Sequence, residues 1–440
     1  MKKISFLRML VISLLGFALT FSSNIQDPPL MTYKVRELAP NLPNTTLGFL
    51  GFLGLLVAMV VQPIIGVFSD RARTKLGRRL PFIIGGAVLI AASLFLLAAA
   101  PTLWVLLLGV IFIQFSSNIL QGPWQALIPD LVPESQRGKA SSLKAVMDIL
   151  ALVVGGAVAG ILLGDKGIAR WGSNAVFVAA TVPAILFFVF ILFTGLWARE
   201  KPEAVPGRSP EPVEGSGMVV GKTVGEALKS AFYVSFREMP VFGWWFANRI
   251  LFWGAFIAIN SFLINYLVDV IKMTQGEAQS FYGTLKIILG GALIILALTA
   301  GWLSDKFGRK PVMLIAGLVA FVGTFTLLFV RDRTLIIMAG GIVGMGVGSF
   351  LSASWALATD IVPHQEAARY LGIANIATCI GSGVARLLGG VLIDPINKAL
   401  GSNSSGYLLL FSLAALCFLA SALVIIPLPN KRANATFPGT

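Results

Sequence analysis

One histidine and two cysteines in 440 residues, with only 12% of residues charged, remove most catalytic and metal-binding chemistry before any motif is read. A lone histidine cannot build a histidine metal cluster. Cys379 and Cys417 both lie in apolar stretches, so neither a disulfide frame nor a thiolate metal site is available, and packing is their expected role. No motif sets a serine or cysteine nucleophile beside a base, so no enzyme is expected and no cofactor is implied. Acidic residues are scarce, 20 against 34 Lys and Arg, for a net charge of +14. Such a charge can mark a nucleic-acid partner, but here the basic residues fill the gaps between apolar segments, as membrane topology requires. The charge is read as orientation, and no nucleic acid is expected. Alternation over about ten residues, the mark of a transmembrane β-strand, is missing as well.

What is present fits a lipid bilayer. Hydrophobic residues make up 56% of the chain and the mean hydropathy is +0.85, which rules out a water-soluble globule. Runs of roughly 20 apolar residues, the length a helix needs to cross the hydrocarbon core, recur along the chain. Twelve are found, at approximately 8–32, 46–69, 81–100, 103–129, 140–164, 173–197, 241–268, 279–303, 311–330, 334–359, 368–393 and 404–427. The expected fold is all-α, with twelve transmembrane helices in two pseudo-symmetric halves. The N-terminal six-helix half covers 1–198, a cytoplasmic linker 199–240, and the C-terminal six-helix half 241–440. Met1-Lys2-Lys3 before an apolar run resembles a signal peptide, but the run is too long and no small-residue cleavage site precedes Asp27, so it reads as the first membrane helix. With both termini cytoplasmic, 22 Lys and Arg fall inside, 8 outside and 4 (Lys144, Arg249, Lys286, Arg386) within spans.

The linker from Lys201 to Gly217 is rich in Pro, Gly, Glu and Ser and reads as flexible. Thr223 and Glu226 then stand at capping-box spacing, and Val224, Leu228, Ala231, Phe232 and Phe236 recur at helical intervals, which predicts an amphipathic surface helix. Ser216 to Thr223 nearly spells a phosphate-binding loop; serine replaces its first glycine and no strand precedes it, so it is rejected. His364, in the loop after the tenth span, reads as solvated. Asn44-Thr45-Thr46 and Asn403-Ser404-Ser405 are glycosylation patterns on the expected outer face.

Two short signals repeat at nearly one period. Gly66-Val67-Phe68-Ser69-Asp70-Arg71, followed by Gly77-Arg78-Arg79, is echoed by Gly301-Trp302-Leu303-Ser304-Asp305-Lys306-Phe307-Gly308-Arg309-Lys310, with Asp70 and Asp305 235 residues apart. Asp130-Leu131-Val132-Pro133 is echoed by Asp360-Ile361-Val362-Pro363, 230 residues on. Two signals in the same order around equivalent spans indicate homologous halves with the same orientation.

These residues resemble the loop motif of the major facilitator superfamily, Gly-x-x-x-Asp-Arg/Lys-x-Gly-Arg-Arg/Lys, with four extra residues before Gly77 in the first copy. The resemblance implies a carrier that alternates access through a cytoplasmic gate formed by Gly66, Asp70, Arg71, Gly77, Arg78, Arg79, Gly301, Asp305, Lys306, Gly308 and Arg309. A narrower resemblance rests on Val61 to Arg71, Gly77 to Ile83, and Asn118-Ile119-Leu120-Gln121-Gly122-Pro123-Trp124-Gln125 through Leu131. These stretches are similar to sucrose/proton symporters and to the wider glycoside, pentoside and hexuronide group. Plant sucrose carriers have arginine where this chain has Gln125. Sodium-coupled melibiose permeases carry an acidic residue in helix 2, where Val60-Val61-Gln62-Pro63 has none.

Ionisable residues inside spans are functional candidates by default. Lys144 and Asp148 stand four apart, on one helix face, roughly 10 to 17 Å into the fifth span. The pair is either a titratable group beside the solute or a self-neutralised packing pair. Asp27 precedes Pro28-Pro29, which break the first helix; it either adjoins a binding site or is solvated at the outer interface. Asn248, Arg249 and Trp253 offer an amide, a guanidinium and an aromatic face for a hydroxyl-rich or anionic ligand, with snorkelling to the cytoplasm the alternative for Arg249. Snorkelling is expected of Lys286 and Arg386. Asn118, Gln121, Trp124 and Gln125, with Asn375 beyond them, complete the substrate-binding candidates, and Asp148, Lys144 and Asp27 the proton-coupling ones. The expected protein is a monomeric, multi-pass cell-membrane importer of a sugar or glycoside, coupled to protons, with one site between its halves. An exporter or facilitator of another small organic solute is the alternative.

Overall fold

A computed structural model describes residues 4–72, 74, 76–197, 239–361 and 367–428. The linker with its expected amphipathic helix, the phosphate-loop lookalike and His364 lie outside the described residues, as do the side chains of Asp70, Arg71, Asp305, Asp360 and Asn375. "Inner" and "outer" below name helix ends by the lysine and arginine count.

Every described element is helical. The order is α1 (Phe6–Ile25), a π-helical turn (Gln26–Leu30), α2 (Met31–Leu38), α3 (Pro43–Arg71), α4 (Leu80–Ala99), α5 (Leu103–Leu131), α6 (Glu134–Leu162), the short α7 (Asp165–Trp171) and α8 (Ala175–Trp197). Then come α9 (Pro240–Asp269), α10 (Gln275–Phe307), α11 (Arg309–Phe329), α12 (Arg333–Ile361), α13 (Ala367–Ala399) and α14 (Ser405–Val424). Eleven helical stretches among the described residues are long and apolar enough to cross a membrane, and α10, 33 residues long, contains the remaining span expected at 279–303. Local chemistry sets several starts. Ser5 and Thr102 accept the Arg8 and Val105 amides as N-caps, and Pro43 begins α3 where no amide is needed.

Large apolar side chains point outward, Leu192 at 62%, Ile295 at 64% and Phe329 at 71% exposure, as lipid-facing surfaces should. Lipid tails are as apolar as leucine, so close backbone approach and hydrogen bonds must hold the helices together instead. Small residues mark those approaches: Gly86 meets Leu120 and Gly109 meets Leu97 where α4 crosses α5, Gly155 meets the Phe21 backbone where α6 crosses α1, and Gly346 meets Ala316 and Ala320 where α12 crosses α11.

By packing the chain forms two compact units. Unit 1 holds the described residues of Met1–Pro206, Asn260–Gly290 and Arg386–Tyr407; unit 2 holds those of Gly207–Ile259, Gly291–Ala385 and Leu408–Thr440. Packing therefore groups the outer segments of α9, α10 and α13 with the first eight helices. In unit 1 the joins are glycine on glycine, Gly48 against Gly390 and Gly160 against Gly283.

Candidate functional site

The inner ends carry the repeated motif. Gly66, Asp70 and Arg71 form the last turns of α3, and Gly301, Asp305 and Lys306 those of α10. The loop glycines adopt the same left-handed backbone in both copies, φ 96° at Gly77 and 94° at Gly308, which explains why glycine stands at both. Arg78 Nη2 and Arg79 Nε reach Asp130 at 2.7 and 3.1 Å, and Arg79 Nη1 donates to Ser69 Oγ at 2.7 Å. In the second copy Arg309 Nη1 donates to Ser304 Oγ at 2.9 Å. The serines, passed over in the sequence, are the equivalent acceptors of the repeat.

Deeper in unit 1, α1, α5 and α6 meet at the charged pair. Lys144 Nζ donates to Asp148 Oδ2 at 2.9 Å, and Thr20 of α1 donates to Asp148 Oδ1 at 3.3 Å. The ammonium lies 5.1 Å from the centre of the Trp124 ring. Trp124 is buried, its indole N–H donating to the Ile12 carbonyl at 2.7 Å, and its ring occupies the space any side chain at Gly16 would need. Lys144 and Asp148 keep 28% and 30% side-chain exposure, so the pair is half-buried. Asn118, 4% exposed, turns its amide back to the Gln114 carbonyl of its own helix, while Gln121 and Gln125 stay partly exposed.

A second charged cluster in unit 1 joins segments far apart in sequence. Pro28 and Pro29 lack amides and force Asp27 out of helical geometry, to φ −129° and ψ 115°. The Pro29 carbonyl accepts from Gln279 Nε2 at 2.9 Å, which ties the break to α10. The Asp27 carboxylate takes Arg386 Nη2 at 2.6 Å. Beside them Lys286 Nζ donates to Asn260 Oδ1 at 2.9 Å, which also accepts from Tyr282 Oη at 2.9 Å. Lys286 and Arg386 are 5% and 8% exposed, so neither snorkels, contrary to expectation. The reason is helix length: α10 starts outward of its apolar run and α13 ends beyond its own, so at about 1.5 Å per residue both cations lie roughly 16 to 20 Å from the outer helix ends.

The outer ends of unit 1 are tied by a polar network that sequence reasoning missed. Arg36 donates to Asn265 Oδ1 at 2.6 Å and pairs with Asp269 at 2.7 Å. Tyr407 Oη donates to Asp269, Asn265 Nδ2 to Asn44 Oδ1, and Asn44 Nδ2 to Asp394 Oδ1. Asn44 is therefore 1% exposed with both amide atoms engaged, and as a glycan acceptor it is inaccessible in this structure. Its neighbour pattern keeps Asn403 exposed.

In unit 2, Arg249 is 2% exposed, so the alternative of snorkelling is excluded. It donates to Thr378 Oγ1 at 3.0 Å and to Ser354 Oγ at 3.3 Å, and lies 4.6 and 5.6 Å from the ring centres of Trp355 and Trp245. The expected aromatic partner, Trp253, packs edge-on against Phe256 instead, and its buried indole N–H has no acceptor. Trp245 precedes Arg249 by one helical turn, so the sequence could have pointed to it; Trp355 is reached only through the fold. Asn248 is fully buried, donating to the Ser421 carbonyl at 2.7 Å while its Oδ1 has no partner.

Comparison with known proteins then places the chain. The family described as MFS/sugar transport protein matches residues 37–426. Rice sucrose transport protein SUT1 is 27% identical over 221 residues, covering 43% of this chain and 41% of that protein; SUT5 of rice is 23% identical over 85% of this chain and 79% of that protein. The match to SUT1 thus spans less than half of that relative's length. The minor myo-inositol transporter IolF of Bacillus subtilis is 35% identical over 21% of each chain. Among solved structures, a D-xylose-proton symporter superposes with TM-score 0.69 at 17% identity over 97% of this chain and 98% of that one, and a bacterial homologue of the lysosomal transporter Spinster with TM-score 0.70 at 16% identity over 96% and 95%. The chain belongs to the MFS/sugar transport protein family, and its fold is the major facilitator fold of a multi-pass membrane protein.

Proposed function

We propose that this protein is a proton-coupled importer of a sugar or glycoside, working by alternating access in the cell membrane as a monomer with both termini cytoplasmic. Family membership and the sucrose transport relatives support the sugar class. The observation that carries the coupling is the half-buried Lys144/Asp148 pair, one carboxylate held between an ammonium and the Thr20 hydroxyl against the face of Trp124. Lys144 and Thr20 hold that carboxylate in place, and it is the proposed carrier of the coupled proton. Asp27, engaged by Arg386, is the second candidate carrier.

In unit 1 the proposed solute contacts are Gln121 and Gln125, backed by Asn118 and Trp124; in unit 2 they are Arg249 and Trp253, backed by Asn248, with Asn375 as a further member. The halves at 1–198 and 241–440 are proposed to move about the 199–240 linker. Asp70 and Asp305, among the basic residues of the inner loops, are proposed to latch the cytoplasmic gate, one charge-assisted contact biasing the two states by about 1–3 kcal/mol. Gln125, standing where plant sucrose carriers have arginine, favours a second reading, an exporter or facilitator of another small organic solute.

Proteoliposome transport of labelled sugars separates these. Asp148→Asn is expected to abolish uphill accumulation under an imposed pH gradient while retaining exchange at equal concentrations. An Asp148→Asn protein that still concentrates sugar with wild-type pH dependence moves the coupling role to Asp27 or reduces the protein to a facilitator.

A further inference from the structure

The polar network at the outer ends of unit 1 joins segments that the two proposed halves contribute separately. Arg36 and Asn44 belong to 1–198, on α2 and α3, while Asn265 and Asp269 of α9, Asp394 of α13 and Tyr407 of α14 belong to 241–440. One side chain meets all three of those C-terminal helices. Asn44 Nδ2 donates to Asp394 Oδ1 at 2.7 Å and to Tyr407 Oη at 2.9 Å, and Asn44 Oδ1 accepts from Asn265 Nδ2 at 2.8 Å. Both amide hydrogens and the amide oxygen are thereby used. The Tyr407 hydroxyl passes the chain of bonds on to Asp269, which Arg36 pairs from α2 at 2.7 Å.

The next residue makes a further contact across the same join. α3 starts at Leu42 without a side-chain cap of its own, and the Thr45 amide in its first turn donates instead to Asp394 Oδ2 at 2.8 Å. Asp394 is thus a helix cap supplied from 349 residues away, where a helix N-terminus favours negative charge. Beneath it the two helices meet at Gly48 and Gly390, so backbone faces backbone with no side chains interlocked there. Such a join can part without unthreading a packed core, and at the helix ends water takes over the released donors and acceptors. Its charges are unevenly matched, since these bonds engage two carboxylates, Asp269 and Asp394, and one cation, Arg36. The neutral amide of Asn44 stands between the carboxylates.

We propose that these contacts form a releasable outer seal, that the neutral, two-donor amide of Asn44 is what holds it shut, and that it parts when the carrier opens outward. The inference rests on the alternating-access reading above and assigns its outer closure to named residues.

Spin labels at Leu42→Cys and Leu400→Cys, two exposed sites on either side of the join, report its width in the full-length protein carrying Cys379→Ser and Cys417→Ser. No solute is needed for this measurement. Asn44→Asp keeps the side-chain shape but exchanges two donors for a third carboxylate. It is expected to raise the ratio of separated to closed populations about tenfold or more in pulsed EPR distance distributions. Adding Asp394→Asn returns an amide donor from the opposite side, and the closed distance should recover. A distribution unchanged by Asn44→Asp, in a protein that melts like the wild type, makes the network fixed packing and overturns the proposal. Separation that Asp394→Asn does not reverse overturns the role given to the Asn44 amide. If Asn44→Asp fails to fold, Asn44→Ala carries the test: separation in the same direction supports the seal, and an unchanged distance overturns it. A seal that responds as expected in a protein that moves no sugar supports the proposal and counts against the sugar-transport reading alone.

Discussion

Two charged clusters lie in unit 1, the second about 12 Å outward of the first along α6, where Gly156 meets Lys286, and they are built on opposite principles. Lys144 and Asp148 come from adjacent turns of one helix and cancel each other, with Thr20 and Trp124 completing their surroundings. Asp27, Arg386 and Lys286 come from three separate segments, the ion pair alone spanning 359 residues of sequence, and they do not cancel. A pair within one helix persists whatever the other helices do. The second cluster exists only while the first helix, α10 and α13 stay together, so its charge balance is tied to the packing of unit 1 as a whole. The difference favours the first over the second as the proposed proton carrier.

The sharpest way to break this contrast is Asp27→Asn. It leaves Arg386 and Lys286 buried with no carboxylate, and removing one partner of a buried pair typically costs about 3–5 kcal/mol. Thermal unfolding of the detergent-purified protein should fall strongly, and Asp27→Asn combined with Arg386→Gln should recover much of the loss, because the double variant buries one cation fewer than Asp27→Asn alone. Equal melting of Asp27→Asn and wild type would place the cluster in a wetter setting than its geometry implies.

Lys144→Gln should do less. The pair is nearly one-third exposed, so water screens the Asp148 carboxylate left behind, and a loss of roughly 1–2 kcal/mol follows after discounting for that exposure. The same melting experiment ranks the two variants. A Lys144→Gln protein less stable than Asp27→Asn would reverse the distinction between a self-contained pair and an assembled one.

What the sequence reveals follows the same division. Spacing of four residues made the Lys144/Asp148 pair legible, and hydropathy with the repeated aspartate motifs made the twelve spans and the two-half fold legible. Those signals are local. The partner of Arg386 was not legible, because no spacing rule relates residue 27 to residue 386, and both Lys286 and Arg386 were read as snorkelling because the apolar runs stop short of the true helix ends. Trp355 at Arg249 and the outer network of Arg36, Asn44, Asn265, Asp269, Asp394 and Tyr407 were hidden for the same reason. Asn44 shows the cost of a motif read without burial: its three-residue pattern names a glycan acceptor, while the fold spends both amide atoms on neighbours.

The smallest effect is expected at Trp124, where the contrast can be sharpened without touching a charge. Trp124→Phe keeps an aromatic face near Lys144 but deletes the indole N–H, leaving the Ile12 carbonyl of α1 without that donor. One neutral hydrogen bond and part of one cation–π contact amount to about 1 kcal/mol, and the smaller ring leaves space beside Gly16. Stability should therefore drop slightly. The proposed coupling pair is the more sensitive readout, because the ring lies 5.1 Å from the Lys144 ammonium that pairs with Asp148. If that placement matters, the pH dependence of sugar accumulation in Trp124→Phe liposomes shifts while exchange at equal concentrations stays near wild type. An unchanged pH profile with the same small loss of stability would assign Trp124 to packing alone and leave Lys144 and Thr20 as the groups that set the behaviour of Asp148.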